Sequence, residues 1–234
     1  MRGWFNWVRL LLLFFAAQPE DMETPKKPRI LCLHGHGSNA AIHKRELDRW
    51  PDYVLDKMDL VFINGPFSID DGISDYEQYT WFTCDKEKKI YLNFDESIAY
   101  IEARMIEFGP IDGVLGFSEG ALVTASLPGI QEQGLGLTKV QKIKHVIIIS
   151  GGKFGGNTFP CPELAETAFS SPINIPSLHI FGENDYARKY APELVEAYVD
   201  PLVMLHNGVH EVPKLDEEGV IIMFEFLKKI DAIV

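Results

Sequence analysis

The sequence predicts an α/β fold, a doubly wound and mainly parallel sheet of about six strands with helices on both faces. Three observations lead there. Six short apolar runs rich in Val, Ile and Leu recur along the chain. Continuous runs of this kind, rather than strict alternation, fit strands buried on both faces of a parallel sheet. Amphipathic stretches lie between several of these runs, and a β-α-β-α order is the pattern of a doubly wound sheet. The chain has 234 residues and is 46% hydrophobic, enough for one domain with a sizeable core.

The chain starts with MRGWFNWVRLLLLFFAAQPED. Arg2 and Arg9 precede an apolar run over residues 10–17, a weak signal-like pattern with AAQ as a poor cleavage site. The run is too short to span a bilayer as a helix, which needs about 20 apolar residues. Residues 1–21 are either such a segment or an extension upstream of a normal start at Met22, where METPKKPRILCLHG opens like a cytosolic domain. Residues 22–234 are expected to form the single α/β domain.

The strands follow in order. RILCLHG (29–35) is apolar and ends in a glycine turn, and DLVFINGP (59–66) is stopped by Gly65 and Pro66. IDGVLGF (111–117), KHVIIIS (144–150), PSLHIFGE (176–183) and LVMLHNG (202–208) complete the six. FDESIAYIEARMIEFG (94–109) reads as a helix, with Ile98, Ile101, Met105 and Phe108 on one face and a terminal glycine. GALVTASLPG (120–129), APELVEAYV (191–199) and DEEGVIIMFEFLKKI (216–230) are the other helical stretches.

Composition excludes several classes. A net charge of −12 argues against a nucleic-acid partner and matches anionic membrane surfaces poorly. Three cysteines, Cys32, Cys84 and Cys161, make no C-x-x-C pair, so neither a disulfide framework nor a zinc site is expected. The sequence has no N-x-[ST] sequon. These points favour a reducing, cytoplasmic setting, with secretory entry as the alternative if residues 1–21 act as a signal.

Ligands of open α/β sheets bind beyond the carboxyl ends of the strands, so residues just after each run carry the information. The third run is followed by Ser118, set in Gly116-Phe117-Ser118-Glu119-Gly120, a G-x-S-x-G sequence. The fifth is followed by Asp185 and the sixth by His210. Ser, then acid, then His is the chain order of α/β-hydrolases. A serine hydroxyl is a weak nucleophile and needs a base within hydrogen-bond reach. Histidine accepts that proton near neutral pH, and a carboxylate fixes its tautomer. Gly116 and Gly120 leave room for a sharp strand-to-helix turn. The backbone N–H groups of Glu119 and of His36, in the loop after the first strand, are the candidate oxyanion donors. Each signal alone has a plain structural alternative: a turn glycine, a helix cap at Asp185, a satisfied polar histidine. Their joint order after three strands favours catalysis.

The motifs RILCLHG, GPIDGVLGFSEGALVTASLPG, HVIIISGGKF, SSPINIPSLHIFGENDY and HNGVHEVPKLDEEG extend the argument. On them the chain resembles the FSH-type serine hydrolases, which include the ovarian-cancer-associated hydrolase, fungal members and plant relatives, and it is closest in tone to the plant members. The family pattern G-F-S-Q-G, S-L-H-x-x-G-E-x-D and G-H-x-V-P falls on residues 116–120, 177–185 and 209–213. The resemblance implies an α/β-hydrolase fold, carboxylesterase or thioesterase activity on acyl esters, and no cofactor. Two departures stand out. Glu119 occupies the usual Gln position, and His36 a position that is usually bulky and apolar, often Phe. An extra carboxylate beside the nucleophile either steers substrate charge or sits buried.

Between the second and third strands, Tyr79, Trp81 and Phe82 are candidate pocket residues, and packing of the sheet edge is the competing role. Cys84 has no base beside it in sequence and reads as structural. His34, His36 and His43 have the spacing of a possible zinc set, but His34-Gly35 is the family's turn, and no metal is expected. The reading is a cofactor-independent serine hydrolase of a small or medium acyl ester or thioester. An acyltransferase on the same triad and a hydrolase-fold receptor with little turnover are the alternatives.

Overall fold

The computed structural model describes residues 26–231 apart from Lys86, Lys88, Lys89 and Asn157. The segment 1–21, read above as extension or signal, lies outside the described residues. In chain order the structure starts with β1 (Arg29–Leu33), α1 (Ala40–Leu47), α2 (Asp52–Leu55) and β2 (Asp59–Ile63). Four short strands follow: β3 (Phe67–Ile69), β4 (Gln78–Thr80), β5 (Thr83–Asp85) and β6 (Ile90–Leu92). Then come α3 (Phe94–Phe108), β7 (Gly113–Phe117), α4 (Glu119–Glu132), β8 (His145–Ile149) and β9 (Ser177–Gly182). The chain closes with α5 (Ala191–Val195), β10 (Leu202–His206) and α6 (Glu217–Asp231).

The central sheet has the order β10-β9-β8-β7-β1-β2, and every neighbouring pair is parallel. All six strands expected from the sequence are in it. Strand order reverses between β1 and β7, and a crevice opens at such a switch point beyond the strand ends. The loops carrying His36 and Ser118 leave the sheet at these two strands.

Alternate residues of each strand serve two cores. Leu31, Leu33, Val114, Val146 and Ile148 face a cluster that includes α3 and α4 through Ile98, Ile101, Met105, Val123 and Leu127. Ile30, Cys32, Leu115, Ile147 and Ile149 face a second cluster with α1, α2 and α6 through Leu47, Val54, Met223 and Phe226. Burial on both sides explains why the four inner strands, β9, β8, β7 and β1, are continuously apolar. Each fully buried aliphatic side chain contributes about 1.5–3 kcal/mol.

The structure adds elements that the sequence did not announce. α1 starts at an N-cap, where the Asn39 side chain accepts the Ile42 N–H (2.9 Å). β3 pairs with β4 and β5 with β6 as two small antiparallel ladders outside the main sheet. The expected helix over 191–199 ends early, at Val195. Beyond it, Ile173 bonds to both neighbours of Tyr198 and forms a parallel bridge with it (Ile173 N–H to Ala197 O, 2.8 Å; Val199 N–H to Ile173 O, 2.9 Å). Among the described residues no helix is long and apolar enough to cross a membrane.

Candidate active site

Ser118 sits between β7 and α4 with φ 54° and ψ −113°, a backbone conformation that side-chain-bearing residues rarely adopt. Its N–H is tied to the Ile149 carbonyl of β8 (3.0 Å), and its own carbonyl accepts the first bonds of α4, from Ala121 and Leu122 (3.0 and 3.1 Å). Both flanking glycines are required by contact. A Cβ on Gly116 would run into the Gly120 carbonyl and the Thr124 hydroxyl; one on Gly120 would run into the carbonyls of Leu33 and His34. The turn is therefore pressed against the end of β1.

The three residues picked out at separate strand ends meet. With its proton on Nδ1, His210 donates to Asp185 Oδ1 (2.8 Å), and its Nε2 accepts from the Ser118 hydroxyl (2.8 Å). The Asp185 side chain has no exposed surface, while that of His210 is 18% exposed. Asp185 Oδ1 also accepts the Ala187 N–H (2.7 Å), which fixes the carboxylate from behind. The His210 ring lies between Phe117 (5.2 Å between centroids) and Tyr186 (4.3 Å). Tyr186 is the neighbour that sequence reasoning missed; its place directly after the candidate acid was the available signal. Burial, then the Asp185 charge, pushes its phenol above the ordinary tyrosine range.

The loop after β1 is held rigidly. His34 is wholly buried, its Nδ1–H donates to Gly35 O (2.7 Å), and its Nε2 accepts the Gly65 N–H (2.9 Å). Burial lowers its pKa to about 4, so the ring is neutral. Gly37 takes φ +67° and donates to Tyr79 O (3.0 Å), while Tyr79 N–H donates to Ser38 O (2.9 Å). The backbone N–H groups of His36 and Glu119 have no protein acceptor among the described residues. Both are free to receive one from a ligand.

Ser118 and His210 open onto a cavity of about 600 Å³. Its apolar wall includes Phe82, Tyr91, Leu122, Phe159 and Tyr190. Of the three aromatic candidates, Phe82 lines this space and the other two do not. Trp81 is buried in the core, its indole N–H spent on His34 O (2.8 Å). Tyr79 stands on β4 outside the wall with its hydroxyl on Glu77 (2.9 Å). Tyr79 lies within β4, whereas Trp81 and Phe82 follow its end and turn inward, Phe82 to the cavity and Trp81 to the core. The reading of Cys84 as structural also changes: it is exposed and lines the cavity.

Glu119 does not present a carboxylate to solvent. Its side chain is 10% exposed and accepts from the Thr80 hydroxyl (2.8 Å), the Trp81 N–H (3.0 Å) and His36 Nδ1 (3.1 Å). Of the two alternatives for Glu119, the internally bonded one describes the structure. The histidines of the zinc-like spacing hold separate protein partners: His34 as above, His36 on Glu119, and His43 near Glu46 (3.2 Å) and stacked on Phe117.

A histidine bridging a hydroxyl and a buried carboxylate, beside two free N–H donors and an apolar cavity, is equipped for acyl transfer chemistry. Curated relatives of this chain carry the name esterase. Esterase OVCA2 of Danio rerio is 28% identical over 211 residues, covering 79% of this chain and 90% of its own. Esterase FUS5 of Gibberella fujikuroi is 31% identical over 202 residues, 80% of each chain. Among solved structures, Zea mays acyl-protein thioesterase 2 shares the fold, with a TM-score of 0.59 at 18% identity over 89% of this chain and 96% of that one. The family model described as serine hydrolase (FSH1) matches residues 22–220, most of the chain including all three bridged residues. The chain belongs to this serine hydrolase family.

Proposed function

We propose that the enzyme hydrolyses a small or medium acyl ester or thioester through Ser118, His210 and Asp185. The observation that carries the proposal is the pair of 2.8 Å hydrogen bonds at His210, one to each partner. Ser118 Oγ attacks the carbonyl carbon while His210 Nε2 takes its proton. Asp185 keeps the ring in the tautomer that leaves Nε2 free and stabilises the imidazolium that forms. The developing oxyanion accepts from the N–H groups of His36 and Glu119. Losing one donor of this kind typically costs about 2.7–4 kcal/mol of transition-state stabilisation. As the tetrahedral intermediate collapses, His210 returns the proton to the leaving oxygen or sulfur. Water then repeats the sequence on the acyl-enzyme and releases the acid. The cavity volume of about 600 Å³ and its aromatic wall support an acyl group of small or medium length.

A fluorophosphonate probe tests the nucleophile. The wild type is expected to be labelled and Ser118→Ala not; labelling that persists in the variant overturns the assignment. An ester and thioester panel of increasing acyl length on the same pair of proteins reports turnover and pocket depth together. A competing alcohol in that assay separates hydrolysis from acyl transfer.

A further inference from the structure

We propose that the His36 and Glu119 side chains form a clasp that fixes the spacing of the two backbone donors, which makes both side chains positioning groups. The inference rests on the reading of Ser118 as nucleophile given above.

Three segments converge on the Glu119 carboxylate. Its own backbone opens α4 directly after Ser118. From β4 and the residue after it come the Thr80 hydroxyl (2.8 Å) and the Trp81 N–H (3.0 Å). From the loop after β1 comes His36 Nδ1, 3.1 Å from Glu119 Oε1 and 3.1 Å from Thr80 Oγ1. The same loop is laced to β4 by Gly37 N–H, Tyr79 N–H and the Asn39 amide on Glu77 O (2.8 Å). None of those three bonds reaches α4. The Glu119 carboxylate joins the laced unit to the nucleophile turn by hydrogen bonds. The residues whose N–H groups are the two oxyanion donors are thus bonded to each other through their side chains.

A carboxylate this far buried is costly unless its oxygens accept hydrogen bonds. Here it has three donors and lies in the first turn of a helix, where negative charge is favourable. The hydrogen bond that His36 donates to Glu119 raises the His36 pKa against a smaller opposing effect of burial. Below that raised value the contact is an imidazolium–carboxylate bond, roughly twice as strong as a neutral one. Above it the imidazole is neutral and the clasp loosens. The other titratable groups around the pair are His34 on the same loop, Tyr79 on β4, Cys84 on β5, Tyr91 on β6, and Tyr186 and His210 across the cavity. His34 is held neutral by burial, and Tyr91 is pushed up to about 12. Tyr79 is raised chiefly by its bond to Glu77 and Tyr186 chiefly by burial. Loss of charge on His36 should therefore lower kcat on the alkaline side.

The test measures kcat and KM for a small neutral ester from about pH 6 to about pH 9, spanning the ordinary histidine range. The proteins are the wild type, His36→Phe, His36→Asn, Glu119→Gln and the His36→Phe/Glu119→Gln double variant, with Cys84→Ser as the control for the cavity thiol. Each of His36→Phe and Glu119→Gln is expected to lower kcat about tenfold, with KM within about twofold and the double variant no worse than either single, a coupling of about tenfold. The alkaline fall should survive Cys84→Ser, move to lower pH in Glu119→Gln and vanish in His36→Phe and His36→Asn. His36→Asn should retain more activity than His36→Phe, because its amide still donates to Glu119. Effects of the two single changes that multiply, or an alkaline fall that persists in His36→Phe, overturn the clasp. Turnover by Ser118→Ala in the same assay would instead overturn the underlying assignment.

Discussion

Asp185 Oδ1 takes two hydrogen bonds, from His210 and from the Ala187 N–H, while Oδ2 is buried with no partner among the described residues. A carboxylate so placed depends on the histidine for charge compensation. Asp185→Asn keeps the volume but can turn an amide N–H toward His210 Nδ1. The ring proton then moves to Nε2, and Ser118 faces a donor instead of an acceptor. The expected result is a kcat lower by about 10⁴ with a small change in KM, measured on a small ester. Near-normal turnover would move the role to Glu183, two residues back. The three residues of this row were legible because each is polar and lies within a few residues of the end of an apolar strand. Tyr186 was harder to read: its place directly after the candidate acid was the one local signal, and only folding lays its ring on His210. The buried state of Glu119 was illegible for the same reason, because its partners Thr80, Trp81 and His36 are far away in sequence.

The long elements were easier to read than the short ones. Five- and six-residue strands leave a mostly apolar record even at the sheet edges, where β10 exposes Val203 and Leu205, and all six were found. Three-residue strands such as β3 and β5 hold too few residues to show a period, and their pairing is set by contacts with distant segments. α4 shows how an element positions the site. Its first turn touches β1 so closely that only glycine fits at position 120. Gly120→Ala should push α4 away from the Leu33 and His34 carbonyls and shift Ser118 with it. Overpacking of this kind costs about 1–3 kcal/mol in stability. The kinetic loss should be larger in proportion, since a displacement of about 1 Å can cost about 100-fold. Urea unfolding and kcat, measured where the variant is folded, check both parts. Gly134→Ala is the comparison: Gly134, just beyond α4, has φ +68° and open space around it. It should lose some stability through backbone strain and keep its kcat. Equal kinetic losses in the two variants would separate the Gly120 contact from the site.

Across the whole molecule, the two cores enclose ionisable groups that the sequence showed only as histidines flanked by apolar residues. Burial lowers His34 and His145 to about 4 and His179 to about 3. In the unfolded chain each takes up a proton near pH 6.5. Their folded values are depressed, so the stability they preserve is fully present above about pH 6.5. It is lost as pH falls toward the folded values, at about 1.4 kcal/mol per pH unit for each ring within that window. His36 works in the opposite sense. Its folded value is raised, so its contribution is present below about pH 6.5 and lost as pH rises through the folded value; with a side chain 65% exposed its effect is the smaller one. Urea unfolding at a series of pH values should therefore show stability falling from about pH 6.5 to pH 4.5, with a slope approaching three protons taken up on unfolding. His145 isolates one of them. Its ring packs edge-on against Phe226 and covers Gly113, and its Nε2 is buried without a partner. It also stands at the start of β8, at the opposite end of the strand from the site. His145→Leu should remove about one proton from the slope and leave kcat unchanged. An unchanged slope in that variant would mean that the His145 ring already carries its proton inside the fold, and that the acid sensitivity comes from elsewhere.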